Sequence, residues 1–435
     1  MDRQLINVVL LGLAFMLIFT AFQTGGMIQQ TIVDSIHTDD TSYTADGYTS
    51  LCIIYAVLAI ANWLAPSVIV ITGPRLAMFV GAITYCLFIA NFLFPKVWVL
   101  YFLSFVIGLG AAIIWTGQGN YLTINSNDET MSRNSGIFWA LLQCSLLWGN
   151  LFVFFVFTED HIKKETRQLT YGVLTGVGIA GTVLLFFLRG GNRTSTESLT
   201  LRDSFSECVD ALVGAFRLLL TKKMCLLMIT AFYTGLELCF FSGVYGTAIG
   251  NTNSLDSNGN AKRFIGISGL LIGVGEIIGG ATFGLLGSKT NRYGRDPIVI
   301  LGYVLHMVAF FLVFINIPAI ASLEKTNDPS YIDSSLSIAL FCSFLLGLGD
   351  ACYNTQLYSI FGVVYRDNSV PAFALFKFVQ SLAGAIAFFY SSYTDCHIQV
   401  LILAIFASLG TISFSTVEWS ARKDRDAVGD TTHGD

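Results

Sequence analysis

The chain has 435 residues, a formal net charge of −5, 54% hydrophobic residues, 12% charged residues and a mean hydropathy of +0.66. A soluble domain carries roughly 25% charged residues and could not bury this many apolar side chains, so the composition selects a polytopic membrane protein. The mild charge gives no case for nucleic acid, and nine cysteines without a CxxC pair or a Cys/His cluster give none for a disulfide framework or a metal site.

Twelve apolar runs follow in chain order, near 6–32, 48–71, 75–94, 97–121, 135–157, 170–188, 224–249, 264–287, 297–316, 335–361, 371–391 and 397–417. The first is too long for a signal-peptide core and reads as a retained helix. In hydrocarbon each backbone amide must bond within its own segment, so all twelve are expected to be helices and the fold class all-α. With the N-terminus inside, 16 Lys and Arg fall in inner segments and 7 in outer loops. That bias predicts an integral membrane protein with both termini in the cytoplasm. The only N-x-S/T sequon, at Asn192, then lies in an inner loop and should carry no glycan.

The expected organisation is a six-helix bundle over 1–188, a linker over 189–223, a second bundle over 224–418 and a cytoplasmic tail over 419–435. Within the linker, Ser204 and Glu207 have capping-box spacing. Val209, Leu212, Val213, Phe216, Leu219 and Leu220 then form one helical face. This amphipathic helix either lies on the membrane surface between the two halves or binds a partner.

The two halves repeat one another. TAFQTG at 20–25 returns as TAFYTG at 230–235, and SFVIGLG at 104–110 returns as SFLLGLG at 343–349. IFWALLQCS at 137–145 is echoed by ALFKFVQS at 374–381. Spans one, four and five thus match seven, ten and eleven. Six spans per half preserve direction across the membrane, so the repeats are parallel.

Between spans eight and nine stands GSKTNRYGRD, residues 287–296. It resembles the major facilitator loop pattern G-x-x-x-D-R-x-G-R followed by a base. Asn291 replaces the acid and Asp296 the last base. Gly287, Asn291, Arg292, Gly294 and Arg295 are therefore candidates for a cytoplasmic gating loop. Its glycines would allow tight turning, and its arginines would stay in water and tie helix ends together. The equivalent loop after span two keeps only Gly73 and Arg75. Longer strings are similar to the uncoordinated-ninety-three-like family of that superfamily: FTAFQTGG at 19–26, WTGQGNYLTIN at 115–125, RNSGIFWALLQ at 133–143, TGLELCFFSGVYG at 234–246 and FLLGLGDACYNTQL at 344–357. The resemblance implies a major facilitator fold of twelve transmembrane helices. Spans one, two, four, five, seven, eight, ten and eleven would line a central cavity. Functions in that family include regulation of a potassium channel and chaperoning of immune receptors.

Charge inside the spans is confined to the second half. Glu237, Glu276 and Asp350 sit mid-span in helices seven, eight and ten, and Lys377 lies in helix eleven. At repeat-aligned positions the first half has Met27, Ala111 and Ala140 against Glu237, Asp350 and Lys377. A charge at mid-bilayer costs about 2.5–3.5 kcal/mol on insertion scales, so the three acids should face protein or water. On span eight, Gly269, Gly273, Glu276, Gly280 and Gly284 share a stripe that admits a neighbouring backbone. Asp350 and Lys377 either pair as a packing salt bridge or serve the cavity; alternatively Lys377 snorkels to the surface. Glu237 and Glu276 are either coupling groups or buried protonated acids bonded to carbonyls. His306, on an outer helix, reads as a hydrogen-bonded packing residue.

The expectation is a small-solute transporter of alternating-access type. Glu237, Glu276, Asp350 and Lys377 would be the cavity or ion-coupling groups. Gln23, Thr24, Asn62, Gln118, Asn120, Gln143, Asn354 and Gln380 would be the candidate substrate contacts. The rival is a non-transporting regulator or chaperone of another membrane protein. No nucleophile–base pair, phosphate loop or cofactor motif points to an enzyme, and the expected partners are lipid, a small solute and, on the rival reading, a membrane protein.

Overall fold

The structure, a computed structural model, describes residues 3–126, 130–159, 162–189, 201–256, 260–285, 294–365 and 369–432. The sequon at Asn192, and Gly287, Asn291 and Arg292 of the loop motif, lie outside the described residues. Among those described, eleven helices are long and apolar enough to cross a membrane. Among the described residues the only β-pairing is an isolated bridge between Thr252 and Thr326.

In chain order the helices are α1 (Arg3–Asp39), α2 (Gly47–Ala61), α3 (Ala65–Thr72), α4 (Pro74–Ala90), α5 (Val97–Ile124), α6 (Met131–Val156), α7 (Lys164–Phe186), α8 (Leu201–Leu219), α9 (Lys222–Cys239), α10 (Tyr245–Asn251), α11 (Phe264–Leu285), α12 (Asp296–Asn316), α13 (Leu336–Val364), α14 (Ser369–Ser391) and α15 (Cys396–Thr432). Span one is α1, span seven is α9 continued through α10, and spans eight to twelve are α11 to α15.

The second span differs from the single helix expected over 48–71. It is α2 followed by α3, with the chain turning at Asn62 to Leu64. Asn62 closes α2 through its own N–H to Leu58 O at 3.0 Å. Pro66 sits in the first turn of α3, where its missing N–H costs nothing. Asp46 caps α2 at the other end, its side chain accepting from Thr49 N at 2.6 Å.

Internal duplication is visible in the packing. Ser104 on α5 meets Ser50 on α2, Oγ to Oγ at 2.8 Å. Its repeat partner Ser343 on α13 meets Ser268 on α11, also at 2.8 Å. Gly73 (φ 75°) and Gly294 (φ 96°) are the only described residues with positive φ. They fall in the equivalent loops after spans two and eight, where only glycine turns the chain this way without strain.

The halves touch along three seams: α6 on α11, α2 on α14, and α1 on the α10 end of span seven. Small residues bring the backbones together. A Cβ on Gly266 would meet Phe154, one on Gly269 would meet Asn150, and one on Gly273 would meet Leu146, all on α6. On the other side of α11, Gly275 and Gly279 pack against Phe344, Leu348 and Ala351 of α13. The outside of the bundle is apolar: Trp98, Phe155, Phe186, Phe311, Leu401 and Ile412 are exposed, as lipid contact requires.

Helix α8 starts at Leu201, three residues before the Ser204 cap that the sequence suggests. It touches α3 of the first half and α14 of the second. Val209, Val213, Phe216 and Leu220 on its apolar face are exposed. Span seven widens into a π-helical turn at Phe240–Val244, just after Glu237, a feature that often marks functional sites.

The loop motif departs from expectation at Arg295. Its guanidinium is not in water but is 2% exposed, and Nη1 is 2.8 Å from Glu418 Oε2 on α15. Arg295 Nε also donates to Ser359 Oγ on α13 at 2.8 Å. Next to it Asp296 accepts from Arg422 Nη2, and from Trp419 Nε1 at 3.0 Å. The helix ends are tied together, as expected, but by buried charge. A guanidinium leaves water at this cost only where carboxylates and hydroxyls satisfy its fork.

Candidate functional site

Four helices of the second half bring their polar side chains together. On α13, Asn354 Nδ2 donates to Asp350 Oδ1 at 2.7 Å, one helical turn away. On α14, Gln380 Nε2 donates to Asn354 Oδ1 at 3.5 Å and to Thr234 Oγ1 of α9 at 3.1 Å. Lys377 Nζ donates to Gln380 Oε1 at 2.9 Å. Close approach of α9 and α14 is set by Gly235, where a Cβ would strike the Gln380 carbonyl. The Asp350–Lys377 salt bridge offered by the sequence does not form directly. The two are joined through Asn354 and Gln380, and Lys377 instead lies 5.3 Å from the Tyr358 ring centroid and 4.9 Å from that of Phe376.

Glu237 is 1% exposed and closes the network on the buried side. Its carboxyl is within hydrogen-bonding reach of Asp350 and Tyr233. Glu237 Oε2 is also 3.0 Å from His306 Nδ1 on α12. The histidine read as a packing residue is thus a direct neighbour of the central acid. An ionisable residue inside a span is a functional hypothesis by default. Placement on an outer-ring helix speaks against it, because only the fold shows that α12 turns this side chain toward Glu237.

Glu276 stands apart on α11, 7% exposed, accepting from Gln143 Nε2 of α6 at 2.6 Å. The glycine stripe does what its spacing predicts at Gly269 and Gly273, which admit α6, whereas Gly280 has no neighbour close to where a Cβ would stand. Glu276 still acts electrostatically on Glu237, and Asp350 on Glu276. The three acids form one charge cluster.

The first-half candidates are spread over four spans. Gln23 accepts from Ser145 Oγ of α6. Thr24 is fully buried against Gly149 of the same helix. Asn62 sits at the break in span two, Gln118 is buried on α5, and Asn120 is exposed. Gln143 is the one that reaches the charge cluster. Asp350, Asn354 and Lys377 are half-buried, so the network runs from an accessible rim to the closed Glu237–His306 end.

Two six-helix halves in parallel repeat, closed around polar groups, define a polytopic membrane protein of the major facilitator fold. Solved structures share it. A peptide transporter POT in complex with alafosfalin superimposes with a TM-score of 0.67 over 97% of this chain and 98% of its own, at 14% identity. The nucleoside transporter NupG gives 0.64 over 94% and 99%, also at 14% identity. Within that class the chain belongs to the UNC-93 family: the family model described as ion channel regulatory protein UNC-93 matches residues 38–415. UNC93-like protein MFSD11 of Xenopus tropicalis is 46% identical, over 96% of this chain and 97% of the relative. Protein unc-93 homolog A of Homo sapiens is 25% identical over 96% and 94%.

Proposed function

We propose that the protein is an alternating-access transporter of a small solute, driven by an ion or proton gradient through Glu237, Asp350 and Glu276. The observation that carries this reading is the hydrogen-bonded path from Lys377 through Gln380 and Asn354 to Asp350, whose carboxyl lies beside the buried Glu237. A packing salt bridge needs two residues; this path recruits polar groups from three helices and ends beside a buried acid whose basic neighbour is a histidine. Excess negative charge at that depth binds a proton or a cation, which is the property an ion-coupled carrier uses. The cavity side would offer Gln143, Asn354 and Gln380 to a solute. The protein performs no covalent chemistry in this reading, and both its termini face the cytoplasm.

Uptake into proteoliposomes, screened over small solutes with and without a proton or sodium gradient, tests it. Gradient-driven uptake that disappears in Glu237→Gln and Asp350→Asn supports the assignment. Uptake and pH dependence unchanged in both variants removes these acids from the mechanism.

A second reading, a regulator of a partner membrane protein, draws support from the description of the matching family. On that reading no solute moves, and a channel or receptor co-purifies in fixed stoichiometry.

A further inference from the structure

His306 is fully buried on α12, and its two ring nitrogens have different neighbours. Nε2 is 3.0 Å from Leu346 O. A carbonyl only accepts, so Nε2 carries a hydrogen. Nδ1 is 2.5 Å from Tyr233 Oη and 3.0 Å from Glu237 Oε2. With Nε2–H fixed, a neutral ring offers Nδ1 only as a lone pair. The Tyr233 hydroxyl can donate to that lone pair, which leaves an ionised Glu237 with no donor, in a site without water-like screening. Neither Glu237 oxygen receives a well-aligned hydrogen bond from any described residue. The arrangement is satisfied by one additional proton. It resides either on Glu237, with the Tyr233 hydroxyl donating to Nδ1, or on Nδ1, donated to the carboxylate. Both forms are neutral overall, and moving between them breaks one O–H bond as one N–H bond forms.

We propose that Glu237 and His306 are a one-proton binding site buried between α9, α12 and α13, loaded and unloaded through Asp350. Asp350 is the group that connects it to the accessible rim, since its carboxyl reaches Glu237 on one side and Asn354 on the other. Other titratable groups face the pair. Tyr233 comes from α9, and Tyr353 stacks on the imidazole of His306 with centroids 5.7 Å apart. Cys352 on α13 and Glu276 on α11 lie within electrostatic range of the acids. The nearby cation is Lys377, which acts on Asp350. When the proton leaves, by way of the Asp350 carboxylate to water, the pair carries −1 and the whole cluster gains one negative charge facing Lys377. The role of this event in transport rests on the coupling reading above; the site itself does not.

The site is testable without a transport assay. Full-length protein in lipid nanodiscs is labelled with nitrogen-15 histidine, and His306→Gln assigns one signal among the chain's five histidines. The expected result is a His306 signal of the Nε2–H form with Nδ1 hydrogen-bonded, which does not follow the pH profile of His37 and His397. The infrared band of a protonated carboxyl is expected to be lost in Glu237→Gln and shifted in His306→Gln. Tyr233→Phe, which keeps the ring and its packing, should shift both signatures and guards against misfolding of the acid variants. Asp350→Asn should slow hydrogen–deuterium exchange of the band at least tenfold. A carboxyl band untouched by Glu237→Gln, or a His306 that titrates alike with and without Glu237, overturns the proposal. A proton found there in a protein whose uptake ignores the gradient keeps the site and removes the coupling. Coupled uptake without the band does the reverse.

Discussion

Gln143 and Glu276 meet across the seam between the two halves, Nε2 to Oε2 at 2.6 Å. One belongs to α6, the other to α11, and the glycines of α11 let the two helices approach closely enough for the bond. It is a direct polar link between the first half, whose spans carry no central charge, and the second half, whose spans do.

Cutting that link should be costly in one direction only. Gln143→Leu leaves a buried acid without its donor and should destabilise the bundle by about 1–3 kcal/mol. Gln143→Leu combined with Glu276→Leu should recover most of the loss, because no group is then left unpaired. Thermal unfolding in detergent, run as a double-mutant cycle, reads both numbers. Additive losses would show that the pair is not coupled.

Arg295→Ala should be among the most damaging single changes at the loop motif. It removes the 2.8 Å ion pair to Glu418, 0% exposed, and breaking a buried pair costs about 3–5 kcal/mol. Lys163→Ala, which breaks an ion pair whose side chains are 56% and 57% exposed, should leave the melting temperature unchanged. Equal behaviour of the two variants would contradict the burial of Arg295.

Gly347→Val should prevent close packing of α11 and α13, since a Cβ there would strike the backbone of Ile272. Overpacking of this kind costs about 1–3 kcal/mol. The monodisperse fraction on size-exclusion chromatography should fall. Gly280→Ala, where a Cβ meets nothing, is the control and should elute as the parent does.

Gln380→Ala should separate Lys377 from Asn354 while leaving every charge in place. Loss of one charge-assisted hydrogen bond is worth about 1.5–3 kcal/mol. At 1.4 kcal/mol per decade, solute affinity or uptake should drop about ten- to hundredfold. Uptake kinetics on the solute found in the screen check this. Unchanged kinetics would place the solute elsewhere.

Orientation has a chemical test. Asn192 should remain free of glycan in secretory-pathway membranes, and tags on both termini should be reached by protease only after permeabilisation. A glycan on Asn192 would reverse the assignment.

The helical bundle was largely legible because the bilayer forces apolar runs into helices, and the repeated strings at 20–25 and 230–235 announce the duplication. Pro66 marked the interruption of span two, but hydropathy alone ran through it. The acids Glu237, Glu276 and Asp350 could be found because charge in a span is rare. Their partners could not. His306 and Arg295 obtain their roles from residues 69 and 123 positions away, Glu237 and Glu418, and no local pattern encodes such meetings. The widening of the helix at Phe240–Val244 likewise has no periodic signature.

That wide turn has a mechanical consequence. Below it, Thr230 is fastened to Gly410 at 2.8 Å and Gly235 rests on the Gln380 backbone, both within the second half. Within it, a Cβ on Gly243 would meet Phe388 of the second half and stand 3.7 Å from Leu51 of the first. Beyond it, a Cβ on Gly246 would meet Ile265 and stand 3.5 Å from the Met27 carbonyl, while Tyr245 and Asn251 bond to Ala339 and Ala321 of the second half. The joint stands where contact with the first half is added to packing within the second. Rocking of one half on the other would therefore press on span seven at and beyond those five residues, one turn from the glutamate, while the stretch bearing it stays clamped.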